Sequence, residues 1–361
     1  MTIAITGGGT GGHIYPAIAV AEALHRVCSE AAVLYIGAKN GMEERIAREH
    51  GLNFVGIPAR KIRRLLSPDT IITAAVLGMG MLRARGLLCQ TRPAVLLATG
   101  GYVAAAAALA AVTLRIPVVL HEQNAVAGRT NRLLSRWAAR VCVTFQRSVG
   151  DFPAGKALVT GLPVREDFVK DVERCSAREY FGIPASAFVL LVIGGSQGAA
   201  ALNTVVQDAL PLLPPTVFVL HQTGRRFASE YAEPKAPNYR AEPFLNRHQI
   251  AMAYCAADLA LSRSGASTLA ELAVTGLPAI LVPYPFAYAD HQTANAREFA
   301  DRGASILIPQ SELTANLLAD RVMTLAQSRD SLDRMSQAAR SLARRDAAEV
   351  VARVVLEQCA Q

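Results

Sequence analysis

The sequence predicts an α/β protein of two domains, each with a parallel β-sheet between layers of helices. Three observations lead to this prediction. The chain has 361 residues, more than one hydrophobic core usually holds. Short apolar, β-rich runs alternate with helical patterns along the chain, as β–α units do. The alternation begins again at Val189, after a connection at residues 161–165. Both domains are therefore expected to be Rossmann-like.

The apolar runs define the elements in order. The first domain is expected to cover residues 1–161, with helix 342–361 packing back on it, and the second to cover residues 166–341. Residues 103–114 are apolar but too few to span a bilayer, so they are predicted to form a buried helix. Strands are predicted at residues 3–6, 33–36, 54–57, 95–98, 118–120 and 141–143, and then at 189–193, 217–220, 259–261, 279–282 and 305–307.

Three glycine-rich loops directly follow predicted strands. The first covers residues 7–12, ends at His13 and precedes a helix predicted at 16–24; the others cover 98–102 and 193–199. Glycine lets the backbone approach a ligand closely, and a helix N-terminus presents N–H groups to an anion. Ligands of open parallel sheets bind beyond the carboxyl ends of the strands. The loops therefore predict an enzyme that binds a phosphorylated substrate in a cleft between two facing sheets.

The composition narrows the class of protein. A net charge of +8 and a pI near 9.4 favour an anionic partner. The six cysteines are scattered, so neither disulfides nor a zinc site is expected. No run reaches the roughly 18 uncharged apolar residues of a membrane span, and no signal peptide is recognisable. The chain is therefore expected to stay in the cytoplasm.

Two segments concentrate basic side chains. Residues 60–92 hold seven basic residues and one acid around an apolar helical stretch at 71–82. Basic residues beside an apolar helix suit an anionic membrane surface, although a solvated basic face over a core helix has the same pattern. Nucleic acid is not expected, because aromatic residues make up only 6% of the chain. A second basic group is spaced as one helical face: Arg129, Arg132, Arg136 and Arg140.

Polar motifs follow other strands. Residues 121–124 are His-Glu-Gln-Asn, which suits the binding of hydroxyl groups or a hydrogen-bonded turn. Small residues at 264–268 open a helix that ends at Gly276, where backbone N–H groups would meet a diphosphate. Glu271 would accept bonds from both ribose hydroxyls, or it is a first-turn acid favoured by the helix dipole. Residues 290–296 carry amide side chains that would bind sugar hydroxyls or cap a helix.

Residues 7–12 also match the dinucleotide-binding pattern Gly-x-Gly-x-x-Gly. That function needs an acid at the end of the second strand to bind the ribose. The second strand here ends at residues 35–39 without a carboxylate, and the next one is Glu43. An NAD-dependent oxidoreductase is therefore the weaker interpretation.

The chemistry of the residues indicates a base and an anion site. Imidazole titrates near pH 6.5 when unperturbed, so His13 is the expected general base at neutral pH, and Glu122 is the second candidate. The dipole of the helix that starts near Ser267 would stabilise a departing diphosphate in place of a metal ion, because the sequence has no Asp-x-Asp pair.

Six motifs occur here in the order found in one family. They are Gly-Gly-Thr-Gly-Gly-His, Thr-Gly-Gly-Tyr, His-Glu-Gln-Asn, Gly-Gly-Ser-Gln-Gly-Ala, Ser-Gly-Ala-x-Thr-x-x-Glu and Asp-His-Gln-x-x-Asn-Ala. On these motifs the chain resembles the MurG family of peptidoglycan glycosyltransferases over essentially its whole length. The resemblance implies a GT-B fold, with the acceptor in the first domain and the nucleotide sugar chiefly in the second.

The resemblance implies a reaction as well. It is the inverting, metal-independent and cofactor-free transfer of N-acetylglucosamine from UDP-GlcNAc to the C4 hydroxyl of the muramoyl sugar (MurNAc) of lipid I, an undecaprenyl-diphosphate-MurNAc-peptide. The product, lipid II, serves cell wall biogenesis, cell shape and cell division. Such an enzyme is peripheral, on the cytoplasmic face of the bacterial inner membrane, with anionic lipid and wall-synthesis proteins as candidate partners.

The resemblance also implies roles for residues of this sequence. Arg165 and Ser196 would contact UDP, the backbone of Leu245 the uracil, Glu271 the ribose, and Asn124 and Gln292 the GlcNAc. The loops expected to hold the acceptor diphosphate contain Gly8, Gly9, Gly100, Gly101 and Tyr102. Thr10, Gly11 and Gly12 would line the sugar side of the site, and the helix start with Ala266, Ser267, Thr268, Leu269 and Ala270 would bind the donor diphosphate.

Other functions stay open at this point. A different GT-B glycosyltransferase would use a diacylglycerol or glycolipid acceptor. A membrane-docked nucleotide-sugar sensor or a wall-synthesis scaffold would bind UDP-GlcNAc without releasing UDP. An oxidoreductase would bind NADH.

Overall fold

A computed structural model describes residues 1–60, 68–169, 172–195, 197–231 and 236–359. It divides into two compact units, one formed by Met1–Arg165 with Arg344–Gln361 and the other by Glu166–Ala343. The predicted donor residue Ser196 lies outside the described residues, as do Lys61, Arg63 and Arg64 of the basic segment.

Strands and helices alternate through both units. The strands of the first unit are β1 (Thr2–Thr6), β2 (Ala32–Ala38), β3 (Asn53–Ile57), β4 (Val95–Ala98), β5 (Val118–Glu122), β6 (Arg140–Val143) and β7 (Ala157–Val159). Those of the second are β8 (Phe188–Ile193), β9 (Val217–Gln222), β10 (Tyr239–Glu242), β11 (Leu259–Ser262), β12 (Ala279–Leu281) and β13 (Ser305–Leu307). The α-helices are α1 (Gly11–Val27), α2 (Met42–Glu49), α3 (Pro68–Thr91), α4 (Tyr102–Thr113), α5 (Arg129–Leu134), α6 (Arg174–Tyr180), α7 (Ala200–Ala209), α8 (Arg247–Ala256), α9 (Ala266–Thr275), α10 (His291–Ala300), α11 (Ala315–Ala326), α12 (Arg329–Ser341) and α13 (Ala347–Glu357).

The first sheet is parallel, with strand order β3-β2-β1-β4-β5-β6-β7 in the described residues. Successive side chains of β1 point to opposite faces. Ile3 and Ile5 pack in one core with side chains of α1 and of the C-terminal helix α13, whereas Ala4 packs in the other core with side chains of α3 and α4. Both faces are therefore buried, which explains the continuous apolar runs in the sequence.

The second sheet is also parallel, with strand order β10-β9-β8-β11-β12-β13 in the described residues. Its core joins Leu190 and Val192 of β8 to apolar side chains of α7, α11 and α12. In each sheet the strand that precedes a glycine loop is central. The loop therefore has neighbours on both sides along the carboxyl edge.

The sequence analysis did not predict two of the described strands, β7 and β10, and each of them lies at the edge of its sheet. β7 has a half-exposed Ala-Leu-Val sequence, and β10 is Tyr-Arg-Ala-Glu with one buried side chain. An edge strand packs against fewer neighbours, so it does not need the continuous apolar run on which the prediction depends.

Helix boundaries also differ from expectation. The predicted arginine stripe is not one helical face, because α5 ends at Leu134, Arg136 lies in a turn and Arg140 begins β6. The buried strand that follows requires the chain to leave the helix. Helix α4 is buried, as predicted, along most of its length.

Helix α3 continues well past residue 82, through Arg83 and Arg85. The described residues contain one helical segment, Ile72–Thr91, that is long enough and apolar enough to cross a membrane, judged by length and composition alone. The sequence analysis counted uncharged apolar residues only, whereas this helix includes Arg83 and Arg85, which interrupt the apolar run without ending the helix. Most of this helix is exposed, including Ile72, Met79 and Leu82.

Candidate functional site

The two glycine loops of the first unit pack against each other, backbone to backbone. They follow β1 and β4, which are neighbours in the sheet. The Gly8 N–H donates to the Gly100 carbonyl oxygen over 3.3 Å. Gly101 has a φ of +88°, and a Cβ added there would lie 2.2 Å from the Gly8 oxygen. Only glycine fits this contact, and the ring of Tyr102 covers Gly9 beside it. The structure thus brings the predicted acceptor loops together.

The helix after the first loop begins earlier than predicted. Thr10 is the N-cap residue of α1, so Gly11, Gly12 and His13 form its first turn. The Thr10 carbonyl accepts hydrogen bonds from the N–H groups of His13 and Ile14, at 3.1 and 3.2 Å. The N–H groups of Gly11 and Gly12 precede these first helical hydrogen bonds, so the start of the helix is suited to an anion or an oxygen-rich ligand.

The imidazole of His13 is held by two oxygen atoms. Its Nδ1 lies 3.0 Å from the carbonyl oxygen of Thr99 and 3.1 Å from Oε1 of Gln123. Both oxygens are acceptors, so Nδ1 carries the proton and donates it. The lone pair of the neutral ring then lies on Nε2. A partly exposed imidazole in this tautomer can accept a proton from a hydroxyl group.

The motif at 121–124 separates into a buried part and an accessible part. His121, Glu122 and Gln123 are at most 3% exposed, and their side chains are hydrogen-bonded within the protein. Only Asn124 remains partly exposed. The expectation that four polar side chains bind hydroxyl groups was therefore wrong for the first three, because His121 and Glu122 end β5, Gln123 follows them, and their side chains are bonded inside the protein.

Glu122 is badly placed to act as the base. Its carboxylate accepts the N–H groups of Asn124 and Gly128, both at 3.0 Å, and Nδ2 of Asn131 at 2.8 Å. These donors occupy the carboxylate oxygens that a base would have to turn toward a substrate hydroxyl. At 2% exposure the group also lacks access to substrate, so its place in the fold is to hold the turn 122–128.

Sequence reasoning missed Glu43, which lies fully buried beneath the first glycine loop. Its Oε1 accepts the Ala38 N–H at 2.9 Å, and its Oε2 accepts the Gly9 N–H at 3.4 Å. A methyl group on Gly8 would collide with the same carboxylate. The carboxylate therefore supports the loop from below. The signal available in the sequence was an acidic residue in the first turn of an amphipathic helix, directly after Gly41.

Arg165 ends the first part of the first unit. Its guanidinium carbon lies 4.5 Å from the centroid of the Tyr15 ring, and the residue is 7% exposed. This cation–π contact fixes the arginine against α1.

In the second unit the start of α9 has the form expected for a diphosphate site. Gly265 is the N-cap residue, and Ala266, Ser267 and Thr268 form the first turn, before Leu269, which is buried, and Ala270. Glu271 is the sixth residue of the helix, so the alternative of a first-turn acid was wrong. Its Oε2 accepts the hydroxyl of Tyr254 at 3.0 Å, which orients the carboxylate. The helix ends at Gly276, as predicted, in the left-handed conformation.

Hydrogen bonds join the start of α10 to the loop that precedes α9. The Ser264 hydroxyl donates to the Gln292 carbonyl, and the Asn295 amide donates to the Ser264 carbonyl, at 2.8 and 3.1 Å. The side-chain oxygen of Gln292 accepts the Tyr284 N–H at 2.9 Å. The amide NH2 group of Gln292 is thus the part suited to a sugar hydroxyl.

Gln222, at the end of β9, was also missed by sequence reasoning. It accepts the N–H of Leu245 and donates to the Gly195 carbonyl, both at 3.2 Å. It therefore ties the glycine loop of the second unit to the segment expected to contact uracil. Because the Leu245 N–H already donates to Gln222, any contact of this backbone with uracil is expected through the Leu245 carbonyl.

Two parallel α/β domains with glycine loops at the carboxyl ends of central strands are the architecture of the GT-B fold. The model of the glycosyltransferase family 28 N-terminal domain matches residues 3–143, and that of the family 28 C-terminal domain matches residues 189–351. The chain therefore belongs to glycosyltransferase family 28 and, within it, to the MurG family.

Individual relatives support this assignment. The chain is 44% identical over 357 residues to the UDP-N-acetylglucosamine--N-acetylmuramyl-(pentapeptide) pyrophosphoryl-undecaprenol N-acetylglucosamine transferase of Desulforudis audaxviator, covering 95% of this chain and 94% of the relative. It is 42% identical to the protein of the same name from Nitratidesulfovibrio vulgaris, covering 97% and 95%. The crystal structure of Acinetobacter baumannii MurG is similar with a TM-score of 0.77 and 32% identity, over 99% of both chains.

Proposed function

We propose that this chain transfers N-acetylglucosamine from UDP-GlcNAc to the C4 hydroxyl of the MurNAc of lipid I, which gives lipid II for peptidoglycan. The observation that carries the proposal is the placement of His13. In a chain that covers 94% of a MurG relative, its imidazole lies beside two glycine loops, in the tautomer that a general base requires. The transfer is a single displacement that inverts the anomeric carbon.

His13 supplies the proton acceptor. Its Nε2 takes the proton of the acceptor hydroxyl as the oxygen attacks the anomeric carbon and UDP leaves. A positioned general base contributes roughly 10²–10⁴-fold to the rate. The packed loops of Gly8–Gly9 and Gly100–Tyr102 hold the diphosphate of lipid I beside the N-terminus of α1. The first turn of that helix supplies the positive end of a dipole, because the N–H groups of Gly8 and Gly9 already donate to Gly100 and Glu43.

The second unit holds the donor. The first turn of α9 meets the diphosphate of UDP, and the helix dipole stabilises the negative charge as the sugar departs. Glu271, oriented by Tyr254, accepts the ribose hydroxyls, and the amide NH2 group of Gln292 binds the GlcNAc. The carbonyl of Leu245 reads the uracil. Arg165 and Ser196 complete the contacts to UDP, while Thr10, Gly11, Gly12 and Asn124 line the sugar side.

The first unit also contacts an anionic membrane surface, through helix α3. Ile72, Met79 and Leu82 are each more than half exposed, and Arg83 and Arg85 follow on the same helix. Apolar side chains enter the lipid interface, and each nearby basic residue adds roughly 1 kcal/mol on anionic lipid. The exposed apolar and basic side chains of α3 support a peripheral position on the cytoplasmic face of the inner membrane, where the lipid acceptor lies.

The deciding experiment measures UDP release from UDP-GlcNAc with a lipid I analogue, with diacylglycerol and without acceptor, in EDTA. Release that requires the lipid I analogue and persists in EDTA is the expected result. Release with diacylglycerol instead would indicate a different acceptor. Binding of UDP-GlcNAc without any release would contradict catalysis and favour a sensor or scaffold.

A further inference from the structure

A line of hydrogen bonds runs inward from the His13 ring through the buried motif. His13 Nδ1 meets Oε1 of Gln123, Nε2 of Gln123 meets Nδ1 of His121 at 3.2 Å, and Nε2 of His121 meets the carbonyl oxygen of Gly161 at 3.0 Å. Neither Gln123 nor His121 reaches the surface. We infer that Gln123 and His121 are positioning residues, which fix the His13 ring with its proton on Nδ1 and its lone pair on Nε2. This inference rests on the proposed role of His13 as the base.

The direction of each bond follows from the last acceptor in the line. The carbonyl of Gly161 can only accept, so His121 carries its proton on Nε2 and presents the lone pair of Nδ1 to Gln123. Burial lowers the pKa of His121 to about 4, and the nearby His13 lowers it too, so this ring is neutral at physiological pH. A neutral His121 is the acceptor that the amide group of Gln123 needs.

The surroundings of Gln123 leave its amide one orientation. Its Nε2 faces three acceptors: the carbonyl oxygen of Thr99 at 2.5 Å, that of His121 at 3.1 Å, and Nδ1 of His121. An amide oxygen placed there would oppose all three. Oε1 must therefore face His13, where it accepts the Nδ1 proton together with Thr99.

The backbone around the ring leaves it little room to turn. Gly100 has a φ of +107°, and a Cβ added there would lie 2.8 Å from His13 Nδ1. The Thr99 hydroxyl donates to the His13 carbonyl at 2.7 Å. The tautomer is thus set by residues that are distant in sequence and that need not touch substrate.

The test is the ¹⁵N NMR spectrum of protein labelled in histidine, recorded without substrate at neutral pH for the wild type and for Gln123→Met. We expect His13 protonated on Nδ1 in the wild type. Gln123→Met keeps the side-chain length but none of the hydrogen bonds of the amide group, so the fraction of His13 protonated on Nε2 should rise. Gln90→Met replaces an exposed glutamine of the same unit and should leave the spectrum of His13 unchanged.

Kinetics supply a second readout. Gln123→Met should lower kcat roughly tenfold or more with little change in the KM for UDP-GlcNAc, because the base is misdirected while the donor site is intact. The pH profile of kcat is a third readout. The imidazolium ion donates a stronger hydrogen bond to Oε1 of Gln123 than the neutral ring does, so Gln123→Met should lower the pKa of the ring and shift the acid limb of the profile downward, a change that a merely structural side chain would not cause.

Two results would overturn the inference: His13 protonated on Nε2 in the wild type, or an unchanged tautomer in a folded Gln123→Met. If Gln123→Met does not fold, the same spectrum of Gln123→Leu and the wild-type spectrum decide. The NMR measurement needs no acceptor, so its failure is distinct from a failure of the wild type to release UDP, which would contradict the proposed function itself.

Discussion

Gly101 approaches Gly8 so closely that a methyl group on Gly101 would lie 2.2 Å from the Gly8 carbonyl oxygen. This contact joins the two loops proposed to hold the acceptor diphosphate. In addition, Gly101 has a φ of +88°, a backbone conformation that residues other than glycine rarely adopt. The packing of one loop therefore depends on the absence of a side chain in the other.

Gly101→Ala should accordingly destabilise the protein. Overpacking and a positive φ together should cost about 2–4 kcal/mol in the free energy of unfolding. Gly86→Ala is the control, because Gly86 lies in α3 with nothing within 4 Å of an added Cβ. There alanine should stabilise the helix by about 0.5–1 kcal/mol. Urea unfolding measures both changes, and equal midpoints would contradict the packing described.

His13→Ala should abolish most of the activity and spare donor binding. The rate of UDP release should fall roughly 10²–10⁴-fold, while calorimetry should give an unchanged Kd for UDP-GlcNAc. His25→Ala is the control, since His25 is an exposed residue near the end of the same helix. Near-normal turnover of His13→Ala would rule out its role as the base.

Stability should decline in acid because two histidines are buried in neutral form. Burial lowers the pKa of His121 to about 4 and that of His221 to about 3. The unfolded chain binds a proton at each site near pH 6.5, whereas the folded chain does so only at much lower pH, so acidification favours the unfolded state. The contribution of each neutral histidine to the free energy of unfolding is fully present above about pH 6.5. It is lost at roughly 1.4 kcal/mol per pH unit as the pH falls toward 4 for His121 and 3 for His221.

Denaturant unfolding between pH 7 and pH 5 measures this decline. His121→Gln should flatten the dependence on pH, whereas replacement of the exposed His25 should not. A slope that is unchanged by His121→Gln would contradict the account.

Glu43→Ala should weaken both the fold and acceptor binding. The substitution leaves the buried Ala38 N–H without its acceptor, at a cost of about 1–3 kcal/mol, and removes the support below Gly9. The KM for the lipid acceptor should rise, while the Kd for UDP-GlcNAc should not change. Glu44→Ala removes a neighbouring carboxylate that pairs with Arg48 and the Asn40 N–H near the surface, and it should cost about 1 kcal/mol or less. Similar effects of the two substitutions would refute a supporting role for Glu43.

Leu82→Glu should reduce binding to anionic vesicles without unfolding the protein. Leu82 is 71% exposed, so the fold loses little, but insertion of a leucine into lipid contributes about 1.5–3 kcal/mol. Binding should weaken roughly tenfold or more in a sedimentation assay. Leu212→Glu changes a 43% exposed leucine of the second unit and serves as the control. Vesicle binding that both variants retain would place the membrane contact elsewhere.

Local sequence patterns predicted the central parts of both sheets and the loops that follow them. Central strands are buried on both faces, so their apolar runs are continuous and easily recognised. The edge strands Ala157–Val159 and Tyr239–Glu242 lack that burial and were missed. The start of α1 was placed five residues late, because glycines are poor helix formers in isolation, whereas here the first turn is held by the fold.

The sequence by itself determined which residues lie at the carboxyl ends of central strands, since alternation and glycine loops are local signals, and motif order determined the family. Only the tertiary structure decided what those residues do there. It turned His121, Glu122 and Gln123 inward, put Glu43 beneath Gly9, and set the proton of His13 through Thr99 and Gln123, which are 86 and 110 residues away along the chain. A hydrogen bond depends on where the fold brings two distant atoms, and no local pattern encodes that distance.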